Sequence, residues 1–173
     1  MSDVIFHPQS PYALTDNFFH RINHDWMLIT AAKPDGSWNT MTASWGTVGI
    51  LWNKPVAICF VRPQRYTDEF ILTTDRLTLS FFDEEMHSAL ALCGRTSGRD
   101  TDKAAETGLR PLTLESGAVA FEQARLILDC RRLYADVFKK ENFLDPTIFA
   151  HYPEDDFHHV YICEIEKVLE RCE

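Results

Sequence analysis

Four stretches of the chain carry more basic and hydroxyl groups than a core requires: Asn39 to Trp45 (NTMTASW), Arg62 to Thr67 (RPQRYT), Cys93 to Lys103 (CGRTSGRDTDK) and the pair His158-His159. Arg62, Arg65 and Lys103 supply cations, and Thr67 and Ser97 supply hydroxyls. Tyr66-Thr67-Asp68 opens a helical pattern whose first N–H groups favour an anion. Together these residue types suit a phosphate. Next to such a site, the small residues Thr42, Ala43 and Ser44 can offer backbone N–H and C=O groups to a flat heteroaromatic ring, with Trp45 beside it. Each stretch also has a plainer reading: Thr42 and Ser44 as the outward face of a strand, Arg62 and Arg65 as solvated loop charges, TSGRDTDK as surface, and Trp45 as core.

Two further groupings of reactive residue types are weaker. His158-His159 with Cys163 and Glu164 has ligand types for a metal, but neighbouring residues on a strand face opposite ways, so both histidines cannot easily serve one ion. Cys93 with His87 could form a nucleophile pair, yet Cys93 precedes Gly94 at an apparent helix end and reads as a packed thiol. No catalytic side chain and no metal ligand is assigned.

The elements that must position these residues follow from pattern. WMLITA (Trp26 to Ala31) and the alternating Trp38 to Ser44 flank the turn signal Lys33-Pro34-Asp35-Gly36 and form a β-hairpin. Gly46 and Gly49 mark a bend, and Lys54-Pro55 a stop, before the buried strand Val56 to Val61. A short helix over Tyr66 to Leu72, a strand over Leu77 to Phe82, and a helix capped by Asp83 and ending at Gly94 come next. Another helical patch ends at Gly108. From Ala118 to Phe138 and again from Phe157 to Leu169 the chain alternates as long, bent strands. Residues 1–24 read as a lead-in and Glu141 to Asp156 as a surface excursion. Strands joined mainly by turns, with helices inserted in the middle, predict a mainly β closed or split antiparallel barrel in a single domain over residues 1–173.

The bulk numbers bound the function. At 173 residues, 45% of them hydrophobic, the chain can bury one sizeable core. Its formal charge of −9, from 17 basic against 26 acidic residues, excludes a general nucleic-acid binder. Five scattered cysteines without a C-x-x-C pair read as reduced, mostly buried thiols. The first residues lack the features of a signal peptide, and no apolar run is long enough to span a bilayer, so a soluble cytoplasmic protein without a membrane partner is expected. There is no G-x-G-x-x-G after a strand and no G-x-x-x-x-G-K-[ST].

Several motifs, in order, resemble the flavin reductase-like, FMN-binding split-barrel proteins, which include flavoredoxins. They are N-T-M-T-A-S-W (Asn39 to Trp45), N-K-P (Asn53 to Pro55), V-R-P-Q-R-Y-T (Val61 to Thr67), C-G-R-T-S-G-R-D-T-D-K-A-A-E-T-G-L (Cys93 to Leu109) and, more weakly, D-F-H-H-V-Y-I-C-E-I (Asp156 to Ile165). The resemblance implies a Greek-key split barrel, a homodimer, and FMN bound near the subunit interface. It implies that Asn39, Thr42, Ala43, Ser44 and Trp45 line the isoalloxazine and ribityl chain. Arg62, Arg65, Tyr66 and Thr67 would hold the ribityl and phosphate part, Ser97, Arg99 and Lys103 would complete the phosphate site, and His158 would lie near the flavin. Cys163 stands where glycine is common, a departure that bears on strand packing. The activity implied is hydride transfer from NADH or NADPH to the flavin. The alternatives are an electron carrier that holds FMN tightly and serves a protein redox partner, and a binding module without a redox role. Leu112 to Glu122 and Glu141 to Asp156 are the expected places for acceptor specificity.

Overall fold

The computed structural model describes residues 4–172. Its strands are β1 (Phe6–Gln9), β2 (Met27–Ala32), β3 (Trp38–Ala43), β4 (Gly46–Leu51), β5 (Lys54–Val61), β6 (Arg76–Phe81), β7 (Pro111–Thr113), β8 (Val119–Phe121), β9 (Leu126–Val137) and β10 (His159–Arg171). Its helices are α1 (Phe18–His20), which runs into a π turn (Arg21–Asp25), α2 (Tyr66–Thr73), α3 (His87–Arg95) and α4 (Lys103–Thr107).

Eight strands form one antiparallel sheet in the order β3-β2-β6-β9-β10-β5-β4, with β1 also paired to β10. Its two end strands, β3 and β4, are consecutive in the chain and joined only by Ser44 and Trp45, yet they do not pair. The sheet therefore curls into a barrel with one open seam. The β3–β4 step carries the chain from one edge to the other, and the β5–β6 step, through α2, brings it back beside β2. The first step takes only two residues and the second is the long return connection of a Greek key. The fold is the mainly β split barrel that the sequence predicts.

Period-two alternation divides the buried residues between two cores. Ile29, Leu79, Leu126, Leu128, Cys59 and Tyr161 fill the barrel interior. Leu28, Phe82 and Ile127, on the opposite face, pack under α3 and the β7–β8 hairpin together with Leu90, Cys93 and Phe121. Strand β2 serves both cores, which is why it reads as a continuous apolar run rather than an alternating one.

Several local expectations are corrected. Gly46 and Gly49 lie within β4, not at a bend. A Cβ on Gly46 would meet Met27 Cε at 3.0 Å and the Ile58 carbonyl oxygen at 3.2 Å, so glycine is there for close packing. Lys54-Pro55 opens β5 instead of stopping a strand, after a tight turn in which Trp52 and Asn53 both take positive φ (53° and 57°), the backbone of a primed hairpin turn. Helix α3 starts at His87 after a 3-10 turn over Glu84–Met86 and continues through Gly94 to Arg95. Asp83 makes no capping bond and pairs instead with Arg171 at 2.6 Å. The segment from Ala118 is not one long strand: β8 pairs with β7, and the chain breaks before β9. The expected lead-in contributes β1 to the sheet, its residues 1–3 lying outside the described residues. All five cysteines are free and four are buried, Cys172 being half-exposed. The β9–β10 register shifts between Ile162 and Cys163, where the glycine departure was noted.

Candidate functional site

The open seam of the barrel carries two polar hollows. The first, about 240 Å³, is lined by Met41, Thr42, Ala43, Ser44, Trp45, Phe60, Arg62, Arg65 and His158. The second, about 180 Å³, is lined by Asn39, Gln64, Arg65, Tyr66, Thr67, Arg95, Thr96, Ser97, Gly98 and Lys103. Arg65 lines both. Twelve of the thirteen residues singled out from sequence thus fall around two hollows with a shared wall; only Arg99 does not line them. Its guanidinium pairs with Glu69 and stacks over the Tyr66 ring at 4.5 Å, bracing the rim.

In the smaller hollow, Asn39 comes from edge strand β3 and Thr67 from the first turn of α2. Both are buried, and Asn39 Nδ2 donates to Thr67 Oγ1 at 2.8 Å. No side chain caps α2, whose N-cap is Arg65, so its first N–H groups are left for whatever occupies the hollow. Gly98 closes the opposite side: a Cβ there would lie 1.9 Å from Asn39 Oδ1 and 3.3 Å from Tyr66 Cδ1. Nothing larger than glycine fits against this wall as it stands.

The cations differ sharply in how far they are compensated. Arg62 pairs with Asp156, donates to the His151 carbonyl at 2.6 Å and lies 5.2 Å from the Tyr152 ring centroid. Arg65 donates to the carbonyls of Gly94 (2.6 Å) and Cys93 (3.2 Å) and has no carboxylate partner among the described residues. Lys103, buried, donates to Thr40 O at 2.7 Å and Cys93 O at 3.0 Å, keeping one of its three N–H bonds for the hollow. Arg95, exposed at the end of α3, has no hydrogen-bond or ion-pair partner among the described residues. Three positive charges without a carboxylate, a free helix N-terminus and hydroxyls at Thr67 and Ser97 make this hollow an anion site of phosphate size.

Sequence reasoning passed over Arg95 and Gly98. Both lie inside the CGRTSGRD run, but nothing in their type marks them; Arg95 stands out by its missing partner and Gly98 by the missing Cβ.

Burial lowers the Lys103 pKa from 10.5 to about 8, Arg65 adding to the effect and Cys93 opposing it. The folded, anion-free chain therefore holds fewer protons than the unfolded one between pH 8 and 10.5. Its stability rises across that window as the burial penalty on the charged amine disappears. An anion needs the charged amine, so its affinity should be flat below pH 8 and fall by up to tenfold per unit above it. Calorimetric titration of FMN at pH 7 to 10 reads this directly, and Lys103→Met should flatten the profile.

In the larger hollow, β3 is a sheet edge, so backbone groups near Thr42 to Ser44 have no strand beyond them. Trp45 is 42% exposed, which rules out the core reading. Its ring meets His151 edge-on and tilts against His158, both at 5.3 Å. His158 is buried, with Nδ1 2.8 Å from the Tyr152 hydroxyl. His159 turns the other way, its Nδ1 2.9 Å from Asp68, which also accepts from Tyr161 at 2.7 Å. That network ties α2 to β10. The two histidines thus serve separate sites, as their adjacency on a strand predicts. The excursion from Glu141 to Asp156 reaches the seam through His151 against Trp45, Tyr152 against His158 and Asp156 against Arg62, whereas Leu112 to Glu122 lines neither hollow. His87 stacks on Trp26 at 4.1 Å, and Cys93 is fully buried with its thiol pushed up by burial, so the pair is not a nucleophile.

Burial, reinforced by Arg62, lowers the His158 pKa from 6.5 to about 4, leaving a neutral imidazole at pH 7. Because the folded value lies below the unfolded one, stability is fully present above pH 6.5 and is lost as pH falls toward 4, by about 3 kcal/mol. His158→Gln should lose less stability over that range, as measured by urea unfolding at pH 7 and pH 4.5.

An open-seamed β barrel with a phosphate-sized anion hollow beside a hollow walled by edge-strand backbone and aromatic rings is the architecture of a flavin-binding split barrel. Residues 19–171 match the flavin reductase like domain, and the chain belongs to that family. Among solved structures it is similar to the FMN-binding domain of a flavin reductases-like enzyme from Shewanella baltica (15% identity, 98% of this chain and 79% of that one, TM-score 0.69). It is also similar to flavoredoxin from Methanosarcina acetivorans (21%, 83% and 67%, 0.64) and to an NADH:FAD oxidoreductase from Streptomyces globisporus (14%, 84% and 75%, 0.62). No curated protein matches the sequence significantly. Among the described residues no helix is long and apolar enough to cross a membrane.

The residues present fit FMN. The smaller hollow offers uncompensated cations to a phosphate, and Gly98 keeps its wall clear. The larger hollow offers an edge of main chain and the ring of Trp45 to a planar heterocycle.

Proposed function

We propose that the chain binds FMN across the two hollows and acts in the cytoplasm as an NAD(P)H-dependent flavin reductase. When bound, FMN would supply the redox chemistry, accepting a hydride at N5 from the nicotinamide of NADH or NADPH. The observation that carries the reading is that Arg65 walls both hollows, so a molecule with an anionic tail and a flat head can lie continuously along the seam.

In this reading Arg95, Arg65, Lys103 and the α2 N-terminus hold the phosphate, and Asn39, Thr67 and Ser97 fix its orientation. The β3 edge at Thr42 to Ser44 faces the heterocycle, and its N–H groups would stabilise negative charge gained on reduction. Trp45 and His158 shield that charge from water, the His158 imidazole being neutral at pH 7. No side-chain nucleophile is needed. Phe19 and Trp45, both exposed, line one apolar cavity with Ile22, Val48 and Phe60 and give a second copy of the chain an apolar surface to cover, which supports a homodimer.

The visible spectrum of freshly purified protein, followed by NADH and NADPH oxidation with and without added FMN, tests the proposal. Oxidation that rises with added FMN is the expected result. A bound flavin that neither nucleotide reduces would assign the chain to the electron carriers with a protein partner, and a colourless protein that refuses FMN would leave only a binding module.

A further inference from the structure

We infer that His20, His24 and Asp25 form a binding site for a zinc-class divalent transition-metal ion, outside the flavin site. One coordinating atom of each lies within 4.8 Å of the other two. His20 Nδ1 is 3.3 Å and His24 Nδ1 3.1 Å from Asp25 Oδ1, and the two imidazoles stack at 4.6 Å. Ligands bound at zinc distances, in geometries between octahedral and tetrahedral, stand about 3.0–3.4 Å apart. Each ring nitrogen therefore already stands from the carboxylate oxygen as in a coordination set, and the ligand atoms of the two histidines lie within 4.8 Å of each other.

The backbone explains why three ligands converge. In an α-helix, residues i and i+4 share a face, which suits His20 and His24, but i+5 turns away. The π turn over Arg21–Asp25 widens the spiral so that residue i+5 returns beneath residue i, bringing Asp25 under His20. Arg21 Nη1 holds Asp25 Oδ2 at 3.2 Å, leaving Oδ1 to the histidines. That guanidinium also places a positive charge close to the ion, which weakens its binding. Both histidines are exposed, so solvent fills the remaining coordination positions.

Imidazole with a single carboxylate favours zinc, nickel or copper over magnesium and calcium, which require more oxygens. On binding, each imidazole gives up the proton between Nδ1 and the carboxylate and keeps one on Nε2. Helix α1 and the π turn that continues it carry Phe18, Phe19 and Ile22 into one wall of an apolar cavity of about 460 Å³ that reaches Trp45 at the seam. An ion here would pin that wall.

Calorimetric titration of the untagged full chain with zinc chloride, and separately with magnesium chloride, tests the site. The expected result is one zinc ion bound per chain, no magnesium response, and at least tenfold weaker zinc binding in His20→Ala and in His24→Ala, with thermal melting of the metal-free variants unchanged. Asp25→Asn should weaken it as well. Absence of zinc binding in the wild type, or undiminished binding in the His20→Ala/His24→Ala variant, would overturn the inference and leave Asp25 as a hydrogen-bond acceptor for two surface histidines.

Discussion

Gly98→Ala should lose on the order of 100-fold in FMN affinity and about 2 kcal/mol of stability. The added methyl would stand 1.9 Å from Asn39 Oδ1 and 2.9 Å from its Cγ, so the Asn39 side chain has to leave its place. That side chain is short and buried, and its hydrogen bond to Thr67 breaks when it moves. A displaced Asn39 either enters the phosphate-sized hollow or pushes α2 outward, and in both cases the donors at the helix start lose their alignment. Two charge-assisted hydrogen bonds lost at about 1.5 kcal/mol each give the 100-fold figure. Urea unfolding and FMN titration of the variant measure the two effects. The Asn39→Ala/Gly98→Ala variant identifies their source: with the clashing atoms gone, its stability should exceed the sum of the single variants by about 1 kcal/mol or more.

Arg95→Ala should weaken FMN binding by about 10- to 100-fold and change stability by less than about 0.5 kcal/mol. Arg95 is exposed and its side chain has no hydrogen-bond or ion-pair partner among the described residues, so its removal breaks no polar interaction there. Its guanidinium is free to meet an anion without first giving up a carboxylate. Arg99, at the rim of the same hollow, is already paired to Glu69, and Arg99→Ala should cost FMN affinity less than Arg95→Ala does. Equal losses at the two positions would mean that net charge, not placement, governs binding.

This contrast shows what was legible in the sequence. The segments of the site were, because turn chemistry and helix starts are local: Lys33 to Gly36 fixes the β2–β3 hairpin, and Tyr66-Thr67-Asp68 opens α2 as the pattern implies. The condition of each cation was not. Arg62 is neutralised by Asp156, 94 residues further along the chain, and Arg99 by Glu69, 30 residues back, and no spacing rule reports such pairs. Strand β4 escaped notice because Gly46 and Gly49 weaken its strand signal, although at Gly46 the glycine answers to the Met27 side chain and the Ile58 carbonyl. The β7–β8 hairpin pairs only three residues on each side, too few for a period to emerge. The π turn that gathers His20, His24 and Asp25 has no sequence signature of its own.

The most direct measurement is a comparison of FMN with riboflavin, which shares the ring and ribityl chain but lacks the phosphate, by calorimetric titration of the wild-type protein at pH 7. With the phosphate held by Arg95, Arg65, Lys103 and the α2 N-terminus, FMN should bind at least 100-fold more tightly than riboflavin. Equal affinities, or no heat with either compound, would contradict the assignment of the seam as a flavin mononucleotide site.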